Sequence, residues 1–324
     1  MRLPKELQLA IQQEVEKVDR RRLLQATAQI TERYQAADFS APVLKTDAHR
    51  AAYLAVRLPA TYVANERVFS EIYRLAPHAE INSMLDLGSG PGTALFAATE
   101  IFPALQQATL IEADEALLAL GKLLAAQSSA ATACQTQWIR RDLRSGLSCE
   151  KHDLVVLSYT LGELSQSAAD ALVRQAWNCT KQFLVVVEPG TKRGFAVVNV
   201  VRSAMIAVGA EILAPCPHKN ACPMNAAGDW CHFAARVERS SEHRQLKGGT
   251  LGHEDEKFSY VVAARQCFPS NGARIVRHPQ KHSGHVQLVL CTSQGSLSTK
   301  TVTRSNKQDY KLARKSEWGD TWKE

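Results

Sequence analysis

A glycine-rich turn, Asp86-Leu87-Gly88-Ser89-Gly90-Pro91-Gly92, has residue types and a spacing that suggest ligand binding. It follows a short apolar run that predicts a buried strand, and the residues after it predict a helix. Glycines let the backbone approach a ligand closely, and a helix N-terminus presents N–H groups that have no partner inside the helix. We therefore expect the turn to hold a dinucleotide or a nucleoside-type cofactor. A strand-to-helix connection without a ligand is the alternative.

The glycine spacing distinguishes a dinucleotide from a nucleoside-type cofactor. A dinucleotide site has G-x-G-x-x-G, whereas this turn has Gly88-x-Gly90-x-Gly92 with Asp86 before it in the strand. The pattern resembles motif I of class I methyltransferases, in which the methionine part of S-adenosylmethionine lies over the turn. The resemblance implies that Asp86, Gly88, Ser89, Gly90 and Gly92 bind this cofactor.

Further polar residues end the predicted strands that follow. Glu112 ends the second strand and could accept hydrogen bonds from both ribose hydroxyls, while Asp142 follows the third and could accept from the adenine amino group. Ser158-Tyr159 ends the fourth strand, beside the methyl donor. Each residue alone is more often an ordinary surface or strand-end residue. Their order at strand C-termini favours the cofactor, because ligands of open α/β sheets bind there.

The residues after the fourth strand do not identify a methyl acceptor. Transfer from a sulfonium depends mainly on positioning and desolvation, so little covalent help from the protein is needed. The Asn/Asp-Pro-Pro-aromatic motif of amino-methylating enzymes is replaced by Ser-Tyr-Thr-Leu-Gly-Glu at 158–163. No cysteine pair of the cytosine C5 type is evident. The sequence therefore assigns no catalytic residue.

Three of the eight cysteines, Cys216, Cys222 and Cys231, lie close together in a segment rich in Pro, Gly and His. In a chain without a secretory signal this favours metal ligation over a disulfide framework. The spacing is not the C-x2-C of most structural zinc sites, and Cys-Pro steps also occur in iron–sulfur motifs. A surface loop of unliganded thiols is the alternative.

A fourth ligand is needed to complete such a site. Cys291 is the first choice, because we expect it to end a strand next to the Cys-rich segment. Cys267 is the second choice, and His218 or His232 would suit zinc better than iron.

The apolar pattern predicts an α/β fold of the Rossmann-like class I methyltransferase type with a seven-stranded sheet. Phe258–Ala264 and His285–Cys291 are predicted as its sixth and seventh strands. The expected divisions are a helical N-terminal subdomain (1–80), a methyltransferase domain (81–295), a Cys-rich insertion between strands five and six (213–252) and a basic C-terminal tail (296–324).

The net charge is +7 and the isoelectric point is about 9.0, which permits an anionic partner. Six Lys and Arg residues fall within 299–315, and Arg20, Arg21 and Arg22 form a second cluster. Clustered cations are typical of phosphate binding, although a solvated tail is the alternative. The chain has no apolar run of eighteen residues, so no membrane span is expected. Because the N-terminus lacks a signal-peptide core, we expect a cytoplasmic protein. The sequence does not determine the oligomeric state, and a monomer is favoured.

The glycine turn and the cysteines together resemble one family: the methyltransferase-like assembly factors of the small ribosomal subunit in mitochondria, and their bacterial relatives. The resemblance extends from Arg57 onward. It rests on LDLGSGPGTALFAA, VVVEPGT, CPHKNACPM with DWCHF, RHPQKHSGHVQLVLC and ARKSEWGDTW.

The resemblance implies a [4Fe–4S] cluster on Cys216, Cys222, Cys231 and Cys291. It also implies docking on small-subunit rRNA, with RNA contacts from the tail residues Lys311, Arg314 and Lys315. The Lys281-His282-Ser283-Gly284-His285 segment belongs to the same signature, without an assigned role.

The leading hypothesis is an S-adenosylmethionine-binding, iron–sulfur assembly factor of the small subunit, with or without rRNA methyl transfer. A catalytically inactive scaffold with a zinc site, and an RNA methyltransferase that acts away from the ribosome, are the alternatives. A radical enzyme is disfavoured, because the C-x3-C-x2-C motif is absent.

Overall fold

The computed structural model describes residues 3–36, 44–239, 241–247, 250–269 and 272–324. Its N-terminal part is helical, as the sequence predicts, and α4 packs on the helix that follows the glycine turn as well as on the sheet. None of the described helices is both long and apolar enough to cross a bilayer. The first four helices are α1 (Lys5–Glu16), α2 (Arg20–Ala36), α3 (Asp47–Val56) and α4 (Leu58–Leu75).

Strands and helices then alternate, because short, fully buried apolar runs are separated by longer segments with a single apolar face. In chain order the elements are β1 (Ser83–Leu87), α5 (Thr93–Ile101), β2 (Gln107–Glu112), α6 (Glu115–Ala126), α7 (Ser129–Thr132), β3 (Gln135–Arg140), β4 (His152–Ser158), α8 (Gln166–Asn178), β5 (Thr180–Pro189), α9 (Lys192–Ala207), β6 (Glu211–Ala214), α10 (Pro223–Ala226), β7 (Phe233–Glu238), α11 (Ser241–Leu246) and β8 (His253–Ala264).

The main sheet has the order β3-β2-β1-β4-β5-β8-β6, and β7 pairs with the N-terminal half of β8. Strands β1 to β5 are parallel, whereas β8 runs antiparallel to both β5 and β6. The strand order reverses between β1 and β4, so the glycine turn after β1 lies at the topological switch point. This confirms the predicted class I methyltransferase fold.

The strand assignments after β5 differ from the prediction. The sixth strand is β6, which the sequence analysis missed because only four residues lie between Ala210 and Pro215. The predicted sixth strand, Phe258–Ala264, is the second half of β8. The Cys-rich segment therefore lies between β6 and β8, not between the fifth and sixth strands.

A second, five-stranded sheet follows the main one and contains the segment predicted as the seventh strand. Its central strand β11 pairs with β12 on one side and with β10 and β9 on the other, and β13 pairs with β9. Its elements are β9 (Ala273–Ile275), β10 (Gln280–Lys281), β11 (His285–Cys291), β12 (Leu297–Thr303), α12 (Lys307–Lys315) and β13 (Thr321–Trp322).

The segment expected to be a basic tail is folded into this second sheet. β12 forms a hairpin with β11 across the expected boundary at 295, and α12 packs on the sheet through the buried Ala313. The prediction failed because α12 is strongly polar overall and has only a narrow apolar face.

Two cysteines pair, contrary to the expectation of no disulfide framework. Cys149 and Cys179 form a disulfide, with 6.2 Å between their Cα atoms. Each precedes one of two neighbouring parallel strands, β4 and β5, so the sheet brings them together although they are far apart in sequence.

Arg274 of β9 joins the two sheets to the helical part of the chain. It pairs with Glu71 of α4 and donates hydrogen bonds to the carbonyl oxygens of Pro215 (2.8 Å) and Gly319 (2.7 Å). The side chains of Arg274 and Glu71 are only 5% and 7% exposed. The pair is therefore withdrawn from water, and its two charges depend on each other.

We expect Arg274→Met to lower the free energy of unfolding by about 1–3 kcal/mol, because the carbonyl oxygens of Pro215 and Gly319 lose their donor, whereas Glu71 keeps its ion pair with Arg74. Denaturant unfolding followed by circular dichroism measures the change. The matched control is Arg236→Met, which breaks the exposed pair with Asp255 (60% and 40% exposed) and should cost less than about 1 kcal/mol. Equal losses in the two variants would show that Arg274 does not join the sheets as described.

Candidate functional site

The glycine turn packs against the ends of β1, β2 and β3. The N–H groups of Gly88 and Ser89 donate to the carbonyl oxygen of Ile111 (2.8 and 3.0 Å). Gly88 and Gly92 have φ values of 76° and 83°. A Cβ on Gly88 would lie 2.7 Å from Thr160, and one on Gly92 would lie 2.7 Å from Trp138. Neither position accepts a side chain, so the backbone conformation and the packing of the turn explain why both residues are glycine.

Glu112, at the end of β2, holds the turn in place. Its carboxylate accepts hydrogen bonds from the backbone N–H groups of Gly90 (2.9 Å), Ala113 (2.8 Å) and Asp114 (2.9 Å). The structure thus brings Glu112 to the glycine turn, as the sequence predicts.

Asp86 lies just before the turn and is 2% exposed. Among the described residues its Oδ2 atom has no hydrogen-bond partner. Burial, together with the nearby Glu112, raises the pKa of Asp86 to about 8. A buried carboxyl group without a partner is costly, and such groups are concentrated at ligand sites.

Ser158 and Tyr159 lie at the end of β4, as predicted, and connect the sheet to its neighbours. The Ser158 hydroxyl donates to Asn65 Oδ1 of α4 (2.9 Å), and within the described part of the chain the buried Asn65 Nδ2 has no partner. Tyr159 has a φ of 57°, a left-handed conformation that costs a side-chain-bearing residue about 1–2 kcal/mol. Strain of this kind is concentrated at functional sites.

Asp142 follows β3, but its carboxylate is engaged locally. It accepts from the backbone N–H of Arg144 (2.9 Å) and forms an ion pair with the Arg144 guanidinium (2.6 Å). These bonds to Arg144 lower the pKa of Asp142. The adenine contact expected of Asp142 therefore requires Arg144 to move or to share the carboxylate.

Glu188 of β5 is a site residue that the sequence analysis missed. It is 2% exposed and accepts from the backbone N–H groups of Leu161 (2.9 Å) and Gly162 (3.3 Å), so it fixes the loop after β4. Burial raises its pKa to about 7. The available signal was an acidic residue in an otherwise apolar run.

A second pocket, which we call the thiol pocket, is lined by Cys216, Cys222, Cys231 and Cys291. Cys267, the alternative fourth ligand, is exposed and does not line it. The pocket is otherwise mainly apolar, with side chains from Phe195, Val198, Pro215, Pro217, Met224, Phe233, Tyr260 and Val276.

Arg202 of α9 fixes the loop that carries the first of these thiols. It is 4% exposed, and its Nε donates to Cys216 Sγ (3.2 Å). Its Nη2 donates to the carbonyl oxygens of His218 (2.8 Å) and Asn220 (2.9 Å). His218 Nε2 lies 3.3 Å from Cys291 Sγ, so the same loop contacts the second sheet.

Three of these thiols have raised pKa values, and for Cys216 the main cause is burial. Burial raises the pKa of Cys291 to about 12, and burial with three neighbouring thiols raises that of Cys231 well above its usual range. Among the described residues, no three His, Cys, Asp or Glu side chains are gathered as a single metal ion would require. All four thiols line the same pocket.

The Lys281–His285 segment contacts α12 of the predicted tail. The rings of His282 and His285 stack with centroids 4.5 Å apart, and Arg314 of α12 donates to the His282 carbonyl oxygen (3.4 Å). We call the exposed cations of this region the basic face: Lys281, Arg304, Lys307, Lys311, Arg314 and Lys315.

The strand order and the glycine turn define a protein of the class I methyltransferase fold. Residues 47–323 match the family model described as mitochondrial small ribosomal subunit Rsm22, and the chain therefore belongs to that family. The predicted membership of a family of methyltransferase-like small-subunit assembly factors is confirmed.

The chain is 30% identical over 288 residues to the human ribosome assembly protein METTL17, mitochondrial, covering 83% of this chain and 61% of that protein. It is 26% identical over 328 residues to Rsm22-cox11 tandem protein 2, mitochondrial, of Schizosaccharomyces pombe, covering 85% of this chain and 43% of that protein. The chain thus spans only part of the length of these relatives. The expectation of a cytoplasmic protein is wrong, because both relatives and the family are named as mitochondrial.

Among solved structures, the chain is similar to a putative RNA methyltransferase from Pyrococcus horikoshii, with 11% identity and a TM-score of 0.42 over 63% of this chain and 85% of that one. It is also similar to magnesium protoporphyrin IX methyltransferase from Synechocystis with bound S-adenosylmethionine. That match has 13% identity and a TM-score of 0.42 over 64% of this chain and 80% of that one. These similarities are weak, and the fold assignment rests on the strand order.

Proposed function

We propose that the chain is an S-adenosylmethionine-binding, iron–sulfur protein that associates with rRNA during assembly of the small ribosomal subunit. The observation that carries the proposal is the family match over 47–323, which includes both the glycine turn and the thiol pocket. One relative is itself named a ribosome assembly protein.

The residues around the glycine turn fit S-adenosylmethionine, which supplies an activated methyl group on a sulfonium. The unpartnered Asp86 carboxyl would pair with the ammonium of the methionine part, and Glu112 would accept from the ribose hydroxyls. The backbone of Gly88, Ser89, Gly90 and Gly92 would line the methionine part. Ser158 and Tyr159 would lie at the methyl end, and Asp142 would receive the adenine amino group.

The thiol pocket fits a [4Fe–4S] cluster, which Cys216, Cys222, Cys231 and Cys291 would hold. Each thiolate of such a cluster binds a different iron, so the ligands surround a volume, whereas the ligands of zinc meet at one ion about 2.3 Å from each sulfur. The four thiols that line the pocket are the ligand type and number that such a cluster takes. The positive charge of the metal would allow these thiols to ionise despite their burial, and Arg202 would offset part of the charge at Cys216.

Docking on rRNA would use the basic face, and its test is sedimentation with small-subunit particles at several salt concentrations. We expect the chain to sediment with the particles at low salt and to leave them as salt rises, because phosphate contacts release counterions. The triple variant Lys311→Gln, Arg314→Gln, Lys315→Gln should reduce the slope of log affinity against log salt by roughly 2–3.

The control for this triple variant removes the same charge from exposed lysines elsewhere, with Lys122→Gln, Lys151→Gln and Lys181→Gln. The control should leave the slope nearly unchanged. Equal effects from the two triple variants would mean that docking follows net charge rather than the basic face. Absence of the wild-type chain from particles at low salt would contradict the proposed function itself.

A second candidate function, a scaffold that binds the cofactor without methyl transfer, is favoured by one observation. The loop after β4 lacks an acceptor motif, and the buried acid that faces it, Glu188 of β5, is engaged with backbone N–H groups of the loop. Both candidates predict the same docking. Transfer of a labelled methyl group to rRNA in immature particles separates them.

A further inference from the structure

Side chains from the helical N-terminal part and from the main sheet meet beside the cofactor turn. We call Tyr34 of α2, Tyr53 of α3, Arg57 after α3 and Tyr159 after β4 the tyrosine cage. The Arg57 guanidinium lies 5.0 Å from the centre of the Tyr34 ring, and the nearby Glu256 and Tyr159 raise the pKa of Arg57 despite its burial. All four side chains are half-buried, so each presents surface to solvent.

The cage adjoins the end of the site where the methyl group would lie. The Tyr53 hydroxyl is 3.8 Å from the position that a Cβ on Gly90 would occupy. Tyr159 directly follows Ser158, and its hydroxyl donates to Glu256 of β8 (2.9 Å). The left-handed backbone of Tyr159, with a φ of 57°, is held by a hydrogen bond from its N–H to the Val187 carbonyl oxygen (2.7 Å). This backbone strain places an aromatic ring where glycine would be the unstrained choice.

One exposed cation lies on a loop that flanks the cage, and Arg57 lies within the cage. Arg193, at the start of α9, donates to the carbonyl oxygen of Gly162 in the loop after Tyr159 (2.9 Å). An aromatic site with cations around it is the combination by which proteins hold single-stranded nucleic acid.

We propose that the tyrosine cage binds one unpaired nucleobase of an RNA strand, with Arg193 close to a neighbouring phosphate. Aromatic faces stack on any unpaired base, whereas a base inside a duplex cannot reach a recessed site without leaving its stack. The inference rests on the proposed function and refines its substrate class to a nucleotide in a single-stranded or flipped-out state. The N-terminal helices thus supply the acceptor side of the pocket, and the main sheet supplies the cofactor side.

The test uses the full chain with a uridine decamer that carries one central 2-aminopurine, whose fluorescence falls when it stacks. We expect the wild-type chain to quench the probe in the single strand, and to leave the already low fluorescence of a duplex of the same sequence unchanged. Tyr53→Leu should weaken the quenching titration by about fivefold or more, while Tyr53→Phe, which keeps the ring, should stay within about twofold of wild type. Tyr73→Leu is the matched control, because Tyr73 is an exposed tyrosine of α4 (53% exposed).

Several outcomes would overturn the proposal. These are a wild-type chain that binds the decamer without quenching, equal quenching of the duplex, and a Tyr53→Leu variant that titrates like wild type. Tyr34→Leu, on a different helix, repeats the test if Tyr53→Leu does not fold. Calorimetric titration of S-adenosylmethionine on the same samples distinguishes a failure of the proposed function from a failure of the tyrosine cage. Failure of cofactor binding counts against the proposed function, whereas intact cofactor binding without quenching counts against the cage alone.

Discussion

Asp86→Asn is expected to weaken S-adenosylmethionine binding by about tenfold or more while it stabilises the protein without cofactor. The loss follows because the amide cannot form the charge-assisted bond with the cofactor ammonium. The gain follows because the pKa of Asp86 is raised to about 8 by burial and the nearby Glu112, so folding must keep a proton that the unfolded chain releases.

The raised pKa of Asp86 determines how the stability gained by Asp86→Asn depends on pH. Below about pH 4 both states of the wild type hold the proton, so the substitution has little effect there. As pH rises from about 4 to 8, only the folded state keeps the Asp86 proton. The stability of the wild type therefore falls. The melting temperature of Asp86→Asn should therefore exceed that of wild type by about 2–4 °C at pH 8, with a smaller difference at pH 5.

The matched control is Asp153→Asn. Asp153 lies near the start of β4, at the end of the strand opposite Ser158. Asp153 Oδ2 accepts from the N–H and the hydroxyl of Ser83 (3.0 and 2.8 Å), and these bonds help to lower its pKa despite its burial. Its substitution should lower the melting temperature and leave cofactor affinity unchanged. A variant Asp86→Asn that is less stable than wild type at pH 8, or that binds the cofactor normally, would show that Asp86 does not have the assigned role.

Cys231→Ser is expected to abolish cluster binding and to lower the melting temperature by on the order of 5–10 °C. Metal-site free energy contributes directly to folding when the unfolded chain has no preformed site. The thiol pocket is formed by α9, the Cys-rich segment and the second sheet, so loss of the cluster should loosen all three. Differential scanning calorimetry and iron analysis of anaerobically prepared protein measure the two effects.

Cys134→Ser is the matched control, because Cys134 is a buried free thiol (5% exposed) outside the thiol pocket. It should retain the full iron content and lose only the small packing contribution of a thiol. If Cys231→Ser kept its iron, or if both variants lost the same stability, the four thiols would not be acting as a ligand set.

The sequence predicted the first half of the sheet well because each of β1 to β5 is a local feature. A buried apolar run followed by a helix can be recognised without knowledge of the rest of the fold, and the glycine turn places the first of these units. Glu112, Ser158 and Tyr159 followed from the same local pattern, because strand ends of one sheet face the same edge.

The parts that failed depend on long-range contacts. Cys291 lines the thiol pocket, but it does so from β11 of a separate sheet rather than from the main sheet on which the prediction relied. The Cys149–Cys179 disulfide and the approach of Tyr53 and Arg57 to the turn likewise join segments that are distant in sequence. No local periodicity carries such information.

The cluster is the feature that would distinguish this chain from an ordinary protein of the methyltransferase fold, and anaerobic purification of the wild-type chain tests it directly. A brown protein with broad absorbance near ~400 nm, with about four iron and four sulfide per chain, is the predicted result. A colourless protein that carries one zinc per chain, or no metal at all, would contradict it.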